Sequence, residues 1–568
     1  MPIEQTLQLS YGLKGELTRL DGDLDTTFLF SGEFGKYIFK LMHTRSDVSL
    51  TNMQVKALQH LGTKELPFDI PHIVPTLAGK PSVVVEIGKQ AHVGWLISFM
   101  DGRLMSAFKP FSPPQAKTIG GAIAALNIAL RDFSHPGLKR NSHWDLQKAG
   151  WVKEKLHLHQ SPNICTLIRA VCEKYDNIFN DLEKCATCAI HGNINDMNVF
   201  VSEDSSQTRI NGIIDFDDLI ASKRIFEVAT AAAYAAMDSH DPLANAAALL
   251  AEYHSSIPLE PVEIETFFPL MLMRLAATYT SSLERQLTEP GVTYLTHYQE
   301  PALRLLERFH GINMDLVIAY FREACGLAAS ATSNAVTLYL ASKRGTFPFI
   351  FNGLNVQTAY TLDLSVGAPI TVSSPVSTDT HALNAEISDA INKSGKAIAI
   401  GGYGEERPIY TGKAFGGSSA APRVPPRTHH IGVDITVPAG TVLYAPLAGT
   451  IWTVGNAAEQ FDYGGYIVLK HQIPSGEYFY SLYGHLAPSS LKDFGVGDRV
   501  DAGSRLAKIG AYEENGGWWP HLHLQLMTEQ PATEGTPPGA CEGILFPSAR
   551  SLYPNPAAIL NLPDTATC

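Results

Sequence analysis

Two short stretches hold residue types that can share one metal ion. "HIGVD" sets His430 and Asp434 four residues apart, and "HLHLQL" sets His521 and His523 two apart. Alternate residues of an extended strand face the same side, so His521 and His523 share a face and Leu522 takes the other. That spacing puts one imidazole on an ion and the second beside it. A tight turn brings His430 and Asp434 onto the same ion, whereas His429 is out of step. Three ligands of type N, N and O leave a tetrahedral zinc ion one position open to water, as in catalytic rather than structural zinc. Such an ion lowers the pKa of its water to about 7. The remaining histidines can then carry protons or stabilise an oxyanion.

A second kind of chemistry is written earlier in the chain. "AIHGNINDMNVFV" is followed by "INGIIDFDDL". An apolar strand, a polar loop holding an Asn, and a second strand ending in Asp is how kinase-type sites hold the magnesium of a nucleotide. Asn198 and Asp215 fit those metal roles. Lys40, in "KYIFKLM", falls on a predicted strand where it faces the α- and β-phosphates. Of the acidic trio Asp215, Asp217 and Asp218, the first is expected to work, and the others to be solvated or to cap the next helix. Trp518 and Trp519 either line a substrate groove or pack at the domain edge.

The elements that must position these groups differ between the two halves. With 568 residues, the chain is too long for one core. Charged residues make up 17% and hydrophobic ones 45%, the composition of a folded protein. The first half reads as a small strand-rich lobe, with "TTFLFSG", "KYIFKLM" and "HVGWLISFMDG", followed by amphipathic helices such as "PPQAKTIGGAIAALNIALRDF". Near 325–400 a texture rich in Ser, Thr, Ala and Gly suits a connector. From about 400 onward, short β runs alternate with Gly and Pro. A net charge of −13 argues against nucleic acid, whose binding needs cationic neutralisation. No apolar run is long enough for a membrane span, and no secretory leader is read at the N-terminus. The seven cysteines are expected to be reduced thiols, with the C-x-x-C at Cys185 and Cys188 a chance spacing. A cytoplasmic location is the expectation.

The combined "HIGVD…YGHL…HLH" resembles the signature of the M23 zinc metallopeptidases, with "VPAGTVLYAPLAGTI" and "VGDRVDAGSRLAKIG" in the matching places. That resemblance implies His430, Asp434 and His523 as zinc ligands, and His485 and His521 as the catalytic histidines. The first half resembles the aminoglycoside phosphotransferase and choline kinase superfamily, most of all its hydroxylysine-kinase-like branch. "WLISFMDGRL", "HWDLQKA", "RIFEVATAAAYAA" and "MRLAATYTSSLERQ" carry this likeness. It implies ATP and Mg2+ as cofactors, held by Lys40, Asn198 and Asp215. It also implies a catalytic Asp where this chain has Asn193, in "HGN". An amide orients a hydroxyl but takes no proton, and losing a general base typically costs about 10²–10⁴ in rate. On this reading Asn193→Asp raises turnover. Asp196 stands three residues further on and is expected to face elsewhere, and no acidic partner for Lys40 is found near Gln54.

The resemblances imply a multidomain protein. An α+β, protein-kinase-like two-lobed domain spans 1–325, a connector 326–400, an all-β M23 domain of the duplicated hybrid motif type 401–550, and a tail 551–568. The same domain order resembles the front part of fused proteins in which a class III aminotransferase follows. "EERPIYTGKAF" and "SLYPNPAAIL" look like their connecting segments, so a separate aminotransferase partner is implied. Three readings stand. One is a bifunctional enzyme that phosphorylates a small amino alcohol or hydroxylated amino acid and hydrolyses a peptide or amide with zinc. The others are a zinc hydrolase with a silent kinase-like half, and a scaffold.

Overall fold

The computed structural model describes residues 3–20, 26–42, 48–87, 90–159, 161–202, 209–288, 296–373, 381–410, 415, 426–533 and 535–562. Backbone contacts divide the chain into two units, Met1–Glu307 and Arg308–Cys568. Among the described residues, no helix is long and apolar enough to cross a membrane.

The N-terminal unit begins with a six-stranded sheet. Its hairpin of Thr26–Gly32 and Gly35–Leu41 sets Lys40 opposite Thr27, and Gln90–Ser98 sets Trp95 on the other side of Lys40. Helices follow, with Pro113–Ala129 started by a capping box between Ser112 and Gln115. Arg224–Ala236 is buried along its whole length, as expected of an alanine-rich core helix. Two small antiparallel pairs lie between the helices. Thr187–Ile190 pairs with Ile220–Lys223, and Val199–Val201 pairs with Ile210–Ile213. The polar loop at 191–198 and the turn at 214–219 join these strands, so the sheet pairing brings the two loops together.

The C-terminal unit is built on an eight-stranded sheet. Its order is Tyr360–Leu362, Ala399–Gly401, Val433–Thr436, His521–Met527, Tyr478–Leu486, Gly464–Gln472, Gly449–Ala457, Arg499–Val500. The first pair is parallel and the rest antiparallel. Its first two strands come from the stretch whose composition reads as a connector. They are only three residues each, too short to show a period-two pattern. Leu522, Leu524 and Leu526 point into the core with Val433, Ile435, Ile467 and Leu469. Their neighbours His521, His523 and Gln525 take the opposite face, as strand alternation requires.

One histidine of this unit is purely structural. His471 is buried, donates from Nδ1 to the Ala448 carbonyl at 2.8 Å and lies 2.7 Å from Ser481 Oγ through Nε2. Burial pulls its pKa down to about 4, against the bond to Ala448. An unfolded imidazole titrates near ~6.5, so between those values the unfolded chain binds the extra proton. Stability from this group is therefore complete above about pH 6.5 and is lost as pH falls toward 4, by about 2–3 kcal/mol. Urea denaturation across that range is expected to show this slope, and His471→Asn to flatten it.

Candidate functional site

In the C-terminal unit, strand pairing assembles the histidines. Val433–Thr436 and His521–Met527 run antiparallel with Asp434 opposite His523 and Thr436 opposite His521. Tyr478–Leu486 brings Gly484 opposite His523 and so delivers His485 to the same place. His430 ends the strand Arg427–His430. All five groups are buried. His523 Nδ1 lies 3.1 Å from both Asp434 Oδ1 and His430 Nε2, and His430 Nε2 lies 3.3 Å from Asp434 Oδ1. His521 Nε2 stands 3.7 Å from the same oxygen, and the His485 and His521 rings are 4.2 Å apart. The close approach explains the glycine of "HIGVD": a Cβ on Gly432 would meet the His523 ring at 2.5 Å. His485 takes a positive φ of 60°, uncommon for a non-glycine residue and found where a site fixes the backbone.

Each imidazole has one nitrogen tied down away from the centre. Nδ1 donates to the Gly402 carbonyl in His430 (2.8 Å), to that of Asn515 in His485 (3.0 Å) and to that of Trp519 in His521 (2.6 Å). His523 Nε2 donates to Gln525 Oε1 at 3.1 Å, and Gln525 Nε2 donates to the Pro538 carbonyl, which fixes that amide's orientation. The second nitrogen of each ring is therefore the unprotonated one, and in His430, His521 and His523 it faces Asp434 Oδ1. Acceptor atoms packed this closely repel unless a cation lies among them. Donors around a tetrahedral zinc stand about 3.3 Å apart, so His430, Asp434 and His523 fit that ion. Their ligand atoms all lie within 4.8 Å of one another.

Arg407 completes the arrangement. Its Nη1 donates to Asp434 Oδ2 at 2.6 Å, leaving Oδ1 to face the imidazoles. Arg407 also meets Glu405 at 2.8 Å and the Tyr410 hydroxyl at 3.0 Å. The segment that reads as a connecting piece, "EERPIYTGKAF", thus supplies a buried partner of the site; residues 411–414 of it lie outside the described residues. Burial would raise the Asp434 carboxyl, but the His430 ring, the Arg407 guanidinium and the His521 ring beside it hold it well below the usual carboxylate range. Burial lowers His430, His485 and His521, the last to about 4. A cleft of about 260 Å³ opens onto Asp434, His485, His521 and His523, lined also by Tyr410, Phe461, Tyr463 and Trp518. Trp519 lines it too, although almost fully buried, and donates from Nε1 to Thr436 Oγ1 at 3.1 Å.

In the N-terminal unit, Lys40 finds its acidic partner in the turn after the second loop. Its Nζ lies 2.6 Å from Asp217 Oδ1 and 3.5 Å from Asp215 Oδ1. Asp217, paired with Lys40, and Asp218, which accepts from Asn193, are more than solvated or capping groups. Asp215 adopts a left-handed φ of 67°. Desolvation within the turn raises its carboxyl above the usual range, helped by Asp217 and opposed by Lys40. Asn198 is buried, and its Nδ2 donates to the Asn193 carbonyl at 3.0 Å, which leaves Oδ1 for another partner. This carboxylate-rich turn beside an amide oxygen suits a magnesium ion carrying nucleotide phosphates.

Asn193 itself is held on both sides. Its Nδ2 donates to Asp218 Oδ2 at 3.1 Å, while Oδ1 accepts from Arg274 Nη2 at 2.7 Å. Glu227 anchors the loop, accepting from the backbone N–H groups of His191 and Gly192, each at 3.0 Å. Asp196 does face elsewhere: it accepts from the Tyr298 hydroxyl at 2.5 Å and pairs with Lys109 at 3.0 Å.

Comparison with known proteins agrees with both halves. Residues 16–262 match the phosphotransferase enzyme family, and residues 428–534 match peptidase family M23. The chain is 26% identical to hydroxylysine kinase of Danio rerio over 322 residues, covering 54% of this chain and 90% of that protein. Over 96 residues it is 35% identical to an uncharacterized metalloprotease of Haemophilus influenzae, covering 17% of this chain and 18% of that protein. Among solved structures, a microcompartment-associated aminopropanol kinase aligns with 17% identity and a TM-score of 0.44, over 58% of this chain and 99% of that one. The chain thus carries a kinase-like α+β domain of the phosphotransferase enzyme family, followed by a strand-rich domain of peptidase family M23.

Proposed function

We propose that this chain is bifunctional: a zinc-dependent hydrolase of a peptide or amide bond, joined to an ATP- and magnesium-dependent phosphotransferase for a small amino alcohol or hydroxylated amino acid. The observation that carries the hydrolase reading is the convergence of ring nitrogens of His430, His521 and His523 on one Asp434 oxygen, with the His485 ring beside them and a cleft open to the site. His430, Asp434 and His523 would hold the zinc, which supplies Lewis acidity that acidifies water and polarises a carbonyl oxygen. His485 and His521 are neutral at pH 7, because burial lowers both. With Nδ1 fixed on backbone carbonyls, their Nε2 atoms can take a proton from attacking water and return it to the departing amine. Protein purified without chelator is expected to hold about one zinc per chain. Chelation is expected to lower the melting temperature, because a ligand that binds the folded state alone stabilises it. Replacing His485 or His521 by Ala is expected to cut hydrolysis of a peptide library about 10²–10⁴-fold with zinc retained.

The phosphotransferase reading rests on Lys40, Asn198 and Asp215 gathered around one turn, and on the hydroxylysine kinase likeness. A second reading, in which this half binds nucleotide without turnover, is favoured by Asn193, whose amide cannot act as a base. Turnover of Mg-ATP with hydroxylysine, ethanolamine or aminopropanol separates the two. Binding seen as a thermal shift, with no product, selects the silent form.

A further inference from the structure

The amide at position 193 raises a question of proton inventory. Phosphoryl transfer to a hydroxyl releases a proton, and the loop residue at the base position must either accept it or yield the task. Asn193 can do neither as it stands. Its Nδ2 is a donor, and Asp218 Oδ2 accepts from it at 3.1 Å. Its Oδ1 accepts from Arg274 Nη2 at 2.7 Å and from Asn195 Nδ2 at 3.3 Å. Turning the amide over would set its NH2 against a guanidinium and its oxygen against a carboxylate, so the orientation is fixed. The oxygen that would accept from a substrate is therefore engaged by a buried arginine.

The neighbouring carboxylates can be sorted by what already holds them. Asp196 is engaged by Tyr298 and Lys109. Asp217 is engaged by Lys40 at 2.6 Å. Asp215 and Asn198 face the cation and its phosphates in the reading above. Asp218 remains. It lies one hydrogen bond beyond the Asn193 amide, with Ser142 Oγ at 3.3 Å and Arg140 Nη2 at 3.9 Å. Its side chain keeps 20% exposure, so it is reachable from solvent.

We propose that Asp218 is the general base of the N-terminal domain, taking over the proton that the residue at 193 cannot accept. The inference rests on the phosphotransferase reading. The acceptor hydroxyl oxygen forms its bond to the γ-phosphorus of a nucleoside triphosphate. The bond from that phosphorus to the β,γ-bridging oxygen breaks, and the nucleoside diphosphate leaves with the electron pair. The hydroxyl proton passes to an Asp218 carboxylate oxygen and from there to water. Asn193 then acts as a positioning residue that holds Asp218 through its Nδ2–H.

The test uses the full chain, Mg-ATP, and hydroxylysine, ethanolamine and aminopropanol as acceptors. Asp218→Asn is expected to lower kcat about 10²–10³-fold, with ATP affinity by thermal shift unchanged. Asn193→Asp alone is expected to raise turnover less than about tenfold, since a base is already present. In the Asp218→Asn background, Asn193→Asp is expected to recover at least tenfold, by restoring a carboxylate at the neighbouring position. Asp218→Asn turnover within threefold of wild type would overturn the assignment. So would a loss that Asn193→Asp does not recover, which would make Asp218 a structural partner. Wild-type protein that binds ATP but phosphorylates none of the acceptors would instead overturn the phosphotransferase reading, and this assignment with it.

Discussion

Asp434→Ala is expected to disable the C-terminal unit twice over, by removing a metal donor and by stranding a buried charge. Asp434 Oδ1 is the atom that the imidazoles of His430 and His523 face at 3.3 and 3.1 Å. Its loss is expected to weaken zinc binding by more than the ~10–100-fold typical of losing an outer partner of a ligand. Oδ2 is the acceptor for Arg407, which is 1% exposed. With Asp434 gone, that guanidinium keeps Glu405 and Tyr410 but lacks the carboxylate at 2.6 Å. Breaking one side of a buried ion pair typically costs ~3–5 kcal/mol. Urea denaturation of chelator-treated protein isolates the second effect, and competition with a chromophoric chelator isolates the first. Asp434→Asn, which keeps an acceptor for Arg407, is expected to lose zinc affinity with a smaller loss of stability. Equal stability of metal-free wild type and Asp434→Ala would refute the charge argument.

Glu227→Ala is expected to be the most damaging single change in the N-terminal unit. Glu227 lies in the first turn of Arg224–Ala236 and is 1% exposed. Its carboxylate accepts from His191 N, Gly192 N and Asn127 Nδ2, all at 3.0 Å. Asn127 in turn accepts from the Tyr253 hydroxyl at 2.8 Å. Removing the carboxylate leaves two backbone donors and one side-chain donor without partners in the interior. Each orphan typically costs ~1–3 kcal/mol, so a total of about 3 kcal/mol or more is expected in denaturation. The loop 191–198 loses its anchor at the same time, so the ATP-induced thermal shift is expected to shrink with it. Glu227→Gln, which keeps one oxygen but turns an NH2 toward a donor, is expected to fall between.

The grouping of His430, Asp434 and His523 was legible through two short local spacings. "HLHLQL" encodes a strand with two histidines on one face, and the pairing of His523 with Asp434 follows once that strand docks beside "VDIT". Arg407 was not legible. It reaches Asp434 across 27 positions, from a segment without periodic signal, and only the fold reveals that contact. The phosphotransferase loops were legible in the same local way, as strand, Asn-bearing loop and Asp-bearing turn. Their internal wiring was not. Arg274 meets Asn193 from 81 positions away, and Asp218 looks like any helix-capping acid until its bond to Asn193 is seen. The connector texture hid two strands because three residues are too few to alternate.

The rigid, buried N, N, O donor set has a bearing on which metal fills it. Every ring is clamped through its outer nitrogen, and the carboxylate through its outer oxygen, so the cage does not reshape itself around a chosen ion. A tetrahedral spacing held this firmly works against copper and nickel, which prefer square-planar or tetragonal sites, despite their higher intrinsic affinity for such ligands. An ion bound there would thereby be selected by the shape of the cage as well as by the metals on offer.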